Sequence, residues 1–155
     1  MVTAVRWGSD PSGVTQGGSD LHLTLQDAAK IGQLMLQGGS WKGEQLVPAG
    51  WVSAATAKHV DSVQFRDWGE DCAAGYGYQW WMNSFGGFRA FGYAGQYIIV
   101  VPDLDLVVVL SNDDITGNAY TPMRLAEQYV LPAILGGAVP SSSAAHGPGA
   151  VAGGR

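Results

Sequence analysis

Two apolar runs dominate the hydrophobic pattern. Residues 97–101 (Tyr-Ile-Ile-Val-Val) and 106–110 (Leu-Val-Val-Val-Leu) are short, β-branched and nearly continuous. Pro102-Asp103-Leu104-Asp105 separates them as a polar loop. Runs of this length bounded by turn residues predict two strands joined in a hairpin. Because they are continuous rather than alternating, both faces should be covered. A third strand is predicted over 88–91, leading into the hairpin through Gly92-Tyr93-Ala94-Gly95. Upstream, 76–82 is aromatic and alternates at its start, which predicts a fourth strand, with 83–87 as the turn between. Strands in succession with short links make an antiparallel meander.

Helical spacing appears three times. Over 24–37, Leu25, Ala28, Ala29, Gly32, Met35 and Leu36 form one stripe. Thr24 with Asp27 three residues on is a capping-box start, and Gly38-Gly39 is a stop. A second helix is predicted over 48–58, opened by Pro48, with Trp51, Val52 and Ala55 on one face. A third begins at Thr121-Pro122 and runs to about 130, with Pro132 ending or kinking it. The rest is predicted to be irregular: a Gly/Ser/Asp-rich loop over 1–20, a tight turn and short extended piece over 41–47, and an exposed polar loop over 59–74. The expectation is an α+β domain over 1–136, a β-meander covered by helices. A disordered Pro/Ser/Ala/Gly-rich tail is expected over 137–155.

Composition narrows the partners. Eight basic residues are scattered against 13 acidic ones, for a net charge of −5, which argues against nucleic acid and anionic membrane. There is no 18-residue apolar run, so no membrane insertion is expected. The first residues lack the basic and apolar regions of a signal peptide. The compartment stays open, cytoplasmic as the chain stands and periplasmic or secreted for a longer parent. Cys72, the single cysteine, has no His or Asn in a recognisable motif around it and reads as structural.

Chemistry-bearing motifs are sparse. No G-x-S-x-G, Walker, H-E-x-x-H or C-x-x-C sequence is present. The histidines, His22, His59 and His146, have no ligand spacing, so no metal and no cofactor is expected. His22 reads as a packing or capping residue, and His59 as a helix-end residue suited to the dipole. Tyr76, Tyr78, Trp80 and Trp81 read either as core and edge residues or as the lining of a ligand pocket. In a strand, Trp80 and Trp81 must point to opposite faces. Gly92-Tyr93-Ala94-Gly95-Gln96 is the best site candidate, because glycine in a strand pattern can mark close approach by a ligand. A backbone N–H beside it can stabilise an oxyanion. A bulge or tight turn is the other reading of the same residues.

Several segments, in order, resemble the C-terminal half of the serine β-lactamase-like hydrolases, which include carboxypeptidases, esterases and 6-aminohexanoate-dimer hydrolase-like enzymes. They are the 17–39 helix stretch, Trp41-Lys-Gly-Glu-Gln-Leu-Val-Pro-Ala-Gly-Trp51, Gly75-Tyr-Gly-Tyr-Gln-Trp-Trp81 and the 92–109 stretch. The resemblance covers about 7–135 and implies the C-terminal portion of a transpeptidase-like fold. It also implies acyl transfer on an ester, amide or β-lactam. The family's third motif aligns with Ala90-Phe91-Gly92, Ala90 standing at the cationic position. Gly92 and the Tyr93 backbone N–H would then form part of the oxyanion hole. Ala90, Phe91, Gln96 and Trp81 would line the substrate cleft. No Ser here has Lys three residues on, and no Tyr has Asn two residues on. The expectation is a C-terminal segment that meets a small-molecule acyl substrate when completed by an N-terminal part, and is inactive alone. The alternatives are a non-catalytic module that binds a sugar or peptide through aromatic contacts, and a non-functional truncation.

Overall fold

The computed structural model describes residues 6–68, 70–113 and 119–137. The tail expected over 137–155 lies, from 138 on, outside the described residues.

The chain is α+β. Its first element corrects the loop expected over 1–20. Strand β1 (Arg6–Trp7) pairs antiparallel with β2 (Leu21–His22), and Ser9 bridges Thr15 within the ribbon they bracket. Asp10 builds the tip, accepting from the Ser12 and Val14 N–H groups at 2.9 and 3.0 Å. Local side-chain hydrogen bonds of this kind shape Ser/Asp/Gly sequence that has no apolar period to reveal it.

Helix α1 (Leu25–Leu36) follows the predicted boundaries closely. Thr24 Oγ1 accepts from the Asp27 N–H at 3.1 Å, and Asp27, fully buried, receives Lys30 at 2.5 Å. Gly32 explains how closely the helix lies on the sheet. A Cβ there would sit 2.5 Å from a Val107 methyl and 2.9 Å from an Ile98 methyl. The predicted stripe fails at its first residue, since Leu25 is exposed. Strands β3 (Ser40–Trp41) and β4 (Glu44–Gln45) form a two-residue hairpin whose turn, Lys42-Gly43, has positive φ at both positions. Helix α2 is shorter than predicted, Ala49–Ala55, and buries Val52 and Ala55 while Trp51 is exposed.

The expected exposed loop over 59–74 contains two 3-10 turns, Val63–Trp68 and Glu70–Ala73, and it buries Ser62, Asp71 and Cys72. The strand predicted over 76–82 is reduced to β5 (Trp81–Met82). Gln79 takes φ 67°, which bends the chain so that Tyr76 bridges back to Trp81. Trp80 and Trp81 still part company. Trp80 packs edge-on against Phe88, whereas Trp81 meets Phe65 and Tyr76.

Strands β5, β6 (Phe88–Gly92), β7 (Gln96–Val101) and β8 (Leu106–Leu110) form a four-stranded antiparallel meander in sequence order. The register pairs Phe88 with Val100, Phe91 with Tyr97 and Val100 with Val107. The period of two then sorts the apolar side chains into two cores. Tyr97, Ile99 and Val101 pack with Met123, Ala126 and Leu131. Val100, with Ile98 and Val107, packs with Met35, Val52, Phe88 and Trp80. Each fully buried side chain of this size is worth about 1.5–3 kcal/mol. The continuous apolar runs are thus explained by helices on both sides of β7.

The C-terminal helix starts as α3 (Thr121–Leu125), widens into a π segment (Ala126–Val130), and continues as α4 (Leu131–Ile134). Pro132 therefore does not end the helix; it stands in α4, directly after the π segment. The missing N–H and bulky ring are accommodated by the widened turn.

A candidate active-site cleft at the end of the meander

The β6–β7 link is a three-residue turn, Tyr93-Ala94-Gly95, closed by Gly95 N–H to Gly92 O at 3.2 Å. Ala94 (φ 62°) and Gly95 (φ 91°) both occupy the left-handed region. Gly95 is required on a second count, because a Cβ there would lie 2.6 Å from Ala119 O. Ala94 points in and is buried, which leaves Tyr93 80% exposed. Among the described residues no carbonyl takes the Tyr93 N–H. Of the two readings of this stretch, the tight turn is what forms. It leaves an uncommitted donor at its first position.

Beside this turn lies an open cleft of about 730 Å³. Ala90, Phe91, Gly92, Tyr93, Gln96 and Trp81, all six candidate residues read from the sequence, line it together. β6 and its turn supply four of them, β7 supplies Gln96 and β5 supplies Trp81. Gln96 folds back over Gly92, its Oε1 standing 3.2 Å from where a Gly92 Cβ would be. Phe91 stacks on Tyr97 at 4.7 Å, which fixes the wall from behind. Burial pushes the Tyr97 hydroxyl well above the usual phenol range; it donates to Ala119 O at 3.0 Å and stays neutral.

Part of the opposite wall comes from residues read as loop, Trp7 and 17–20, and the rest from the start of the predicted helix and from the predicted 76–82 strand. Trp7, the 17–25 stretch and Gln79 all line the cleft. Trp7 is held by its Nε1–H, which donates to Gln16 O at 2.8 Å. His22, expected to pack or cap, does neither; it is exposed and its Nε2 lies 2.9 Å from Asp20 Oδ1. Asp20 itself has φ 60°, a conformation that favours Asn, Asp and Gly. Only the pairing of β1 with β2 brings these residues to the cleft. Their one sequence signal was Trp7 in a stretch with nothing local to pack on. Of the four aromatics given two readings, Tyr76, Trp80 and Trp81 join the cleft, and Tyr78 stays outside it. His59 sits as expected at the end of α2, 2.7 Å from Ala54 O.

A second polar cluster lies further back along β6, away from the turn. Arg89 of β6 is 1% exposed. Its guanidinium donates to Met82 O at 2.7 Å, to Asn83 Oδ1 at 3.0 Å and to Cys72 Sγ at 3.5 Å. Burial raises the Cys72 thiol, and the Arg89 charge only partly opposes this, so Cys72 is a neutral packing group and no nucleophile. Asp71 accepts from the Ser84 N–H at 2.5 Å. Burial pushes its carboxyl up, but hydrogen bonds from Glu127 and Ser84, with the Arg89 charge, outweigh this and its net direction is down. Glu127, from the π segment, is pushed up to about 8, first by burial and then by Asp71. A proton held on Glu127 relieves the repulsion between the two carboxyls, and Asp71 Oδ2 has no other hydrogen-bond partner among the described residues. None of these residues lines the cleft. Among the described residues no group of three His, Cys, Asp or Glu is placed to hold a metal ion.

No family model matches the chain. It is 30% identical over 105 residues to the 6-aminohexanoate-dimer hydrolase of Paenarthrobacter ureafaciens, covering 64% of this chain and 26% of that protein. The solved structure of a candidate 6-aminohexanoate-dimer hydrolase from Bacillus anthracis superimposes with a TM-score of 0.55 and 25% identity. That match covers 82% of this chain and 34% of the other. Over the matched stretches the chain is similar to these two hydrolases. It spans about a quarter of the curated relative and a third of the solved one.

Proposed function

We propose that this chain forms one wall of an acyl-transfer cleft, acting on an ester, amide or β-lactam bond. The Tyr93 N–H serves as a backbone oxyanion donor, with Gly92 leaving room for the reacting carbonyl. Ala90, Phe91, Gln96 and Trp81 hold the acyl compound. The observation that carries this reading is the uncommitted Tyr93 N–H at the edge of a cleft lined by all six residues. Such a donor stabilises the developing oxyanion more than the ground-state carbonyl, and its loss costs about 10²–10³ in rate. The relatives bear hydrolase names, which supports the reaction class. The attacking serine is supplied from outside this sequence, since none of its serines has a lysine three residues on.

Two measurements test this. The purified 155-residue chain should turn over neither a p-nitrophenyl ester nor a chromogenic cephalosporin; catalytic turnover by it alone overturns the external-nucleophile part. When a serine-bearing N-terminal part is joined to it, ester turnover should appear and should fall about 100-fold or more in Tyr93→Pro, which lacks the N–H. An unchanged rate in a variant with wild-type melting removes the oxyanion role.

One feature outside the cleft favours a second reading, a binding surface. Trp51, Tyr78 and His59 stack in series, with ring centroids 5.6 and 4.2 Å apart, and both Trp51 and Tyr78 are half-exposed. Flat exposed rings suit sugar or peptide contacts. Titration of oligosaccharides against tryptophan fluorescence, with Trp51→Ala as control, tests it; no saturable change ends this reading.

A further inference from the structure

The meander has two edges, and the chain treats them differently. β5 is two residues long, and the bend at Gln79 lays Tyr76 against Trp81, so that edge is short and bridged. β8 is five residues long, Leu106-Val107-Val108-Val109-Leu110, and pairs along its whole length with β7 on one side. On its other side, among the described residues, no strand pairs with it and no backbone group bonds to it. It has none of the devices that keep an edge single: no charge, no proline and no bulge in its register. An edge of this kind is a template for another strand.

Its sequence says which strand fits. Leu-Val-Val-Val-Leu reads the same in both directions. An antiparallel second copy centred on Val108 therefore sets Leu106 opposite Leu110, Val107 opposite Val109 and Val108 opposite its own counterpart. Along a strand, backbone groups point alternately toward one neighbour and the other. Odd residues face odd ones in this register, so whichever alternate set points away from β7 meets the same set of the second copy. The faces agree as well. Leu106, Val108 and Leu110 lie on the side of Tyr97, Ile99 and Val101, and Val107 lies on the side of Val100. A two-fold axis normal to the sheet keeps each side on its own side, so both apolar rows continue into the second copy. One place beyond each end, Asp105 meets Ser111 and not another acid. We infer that β8 is a dimerisation edge, through which two copies of this chain join their meanders into one continuous antiparallel sheet. The sheet then ends on both sides at the short, bridged β5 edge, so assembly closes at two.

Sedimentation velocity of the full chain between about 2 and 200 µM tests this, and a strand pairing smaller than a standard interface should give a dimer Kd of about 10–100 µM. Leu106→Lys and Leu110→Glu each set a charge against leucine at both ends of the ladder, and each should weaken the dimer about 10-fold or more. Mixed in equal parts, the two variants face lysine with glutamate at one end and leucine with leucine at the other, and the dimer should return to within about 3-fold of the unaltered chain. Rescue of this kind separates a broken contact from a misfolded chain. Val108→Cys, a milder change at the axis, should be cross-linked between copies by a short bismaleimide, since Cys72 is buried. A monomer throughout the range, association that runs on past two copies, single variants that dimerise like the unaltered chain, or no cross-link at Val108→Cys overturns the inference. So does amide exchange over 106–110 that slows only when a serine-bearing N-terminal part is joined, which would give the edge to that part.

Discussion

The two ends of β6 treat charge in opposite ways. At its far end the chain opens a cleft of about 730 Å³ whose described lining holds one carboxylate and no lysine or arginine. Near its start it encloses Arg89, with Asp71, Cys72 and Glu127, in one packed knot. Phe91 shares the face of Arg89 and still lines the cleft, so the division runs along the strand and not between its faces. Charges under the C-terminal helix are matched to one another and so do structural work. The cleft is left with little charge of its own, and what it has is accessible to a ligand. A charged residue next to a site in sequence is therefore no guide to the charge inside that site.

Removing Arg89 is the most severe way to break this contrast. Arg89→Met should destabilise the chain by about 3–5 kcal/mol, because Met82 O and Asn83 Oδ1 lose their buried donor and Asp71 loses a nearby positive charge. Urea unfolding measures it, and a loss below about 1 kcal/mol would mean that the knot is not structural. Next comes the packing beneath the cleft. Gly32→Ala should cost about 1–3 kcal/mol, since its methyl meets the Val107 and Ile98 side chains and outweighs the better helix propensity of Ala. A stabilised variant would show that α1 can lift off the sheet freely.

The Glu127 proton gives a smaller, pH-dependent effect. Glu127 holds its proton in the folded chain up to about 8, whereas the unfolded chain releases it near the ordinary 4.5. The folded state thus binds more protons between these values, and stability falls as pH rises through that window. For a half-buried group screened by solvent the loss should be about 1–2 kcal/mol. Asp71 acts in the other direction, its contribution being lost as pH falls below its ordinary 3.8. Thermal melts between pH 5 and 9 should show the decline, and Glu127→Gln should flatten it; an equal slope in the variant locates the proton elsewhere. The smallest effect belongs to the cleft rim. Tyr93→Phe should change stability by less than about 0.5 kcal/mol, the side chain being 80% exposed. A larger loss in chemical denaturation would mean that the phenol hydroxyl, and not the backbone N–H alone, has a role.

Much of the fold was legible from periodicity. The strands over 88–91, 97–101 and 106–110 and the helix from Thr24 appear within a residue or so of their expected ends. Patterning over these stretches is strong, and the Thr24–Asp27 cap and Gly38-Gly39 stop mark the helix locally. The misses share a cause. The ribbon from Arg6 to His22, the buried Asp71 and Cys72 in the 59–74 segment, and Tyr76, which bridges Val60, all depend on partners distant in sequence. Trp51 was assigned to an apolar helix face, but stacks on Tyr78 in the open. The near wall of the cleft was legible because Gly92 and Tyr93 interrupt a strand pattern. The far wall was not, because Trp7, Asp20 and His22 sit in sequence with no period at all.

By itself, then, the amino-acid order determined the meander, the main helix and the turn that presents the Tyr93 N–H. These depend on contacts within a few residues and on a period of two or 3.6. Tertiary structure alone decided where along β6 charge would be enclosed. It folded the 59–74 segment and the π turn over Arg89, and brought the β1–β2 ribbon against the meander. Burial of a charge is decided by what closes over it, and those partners come from parts of the chain that no local pattern connects.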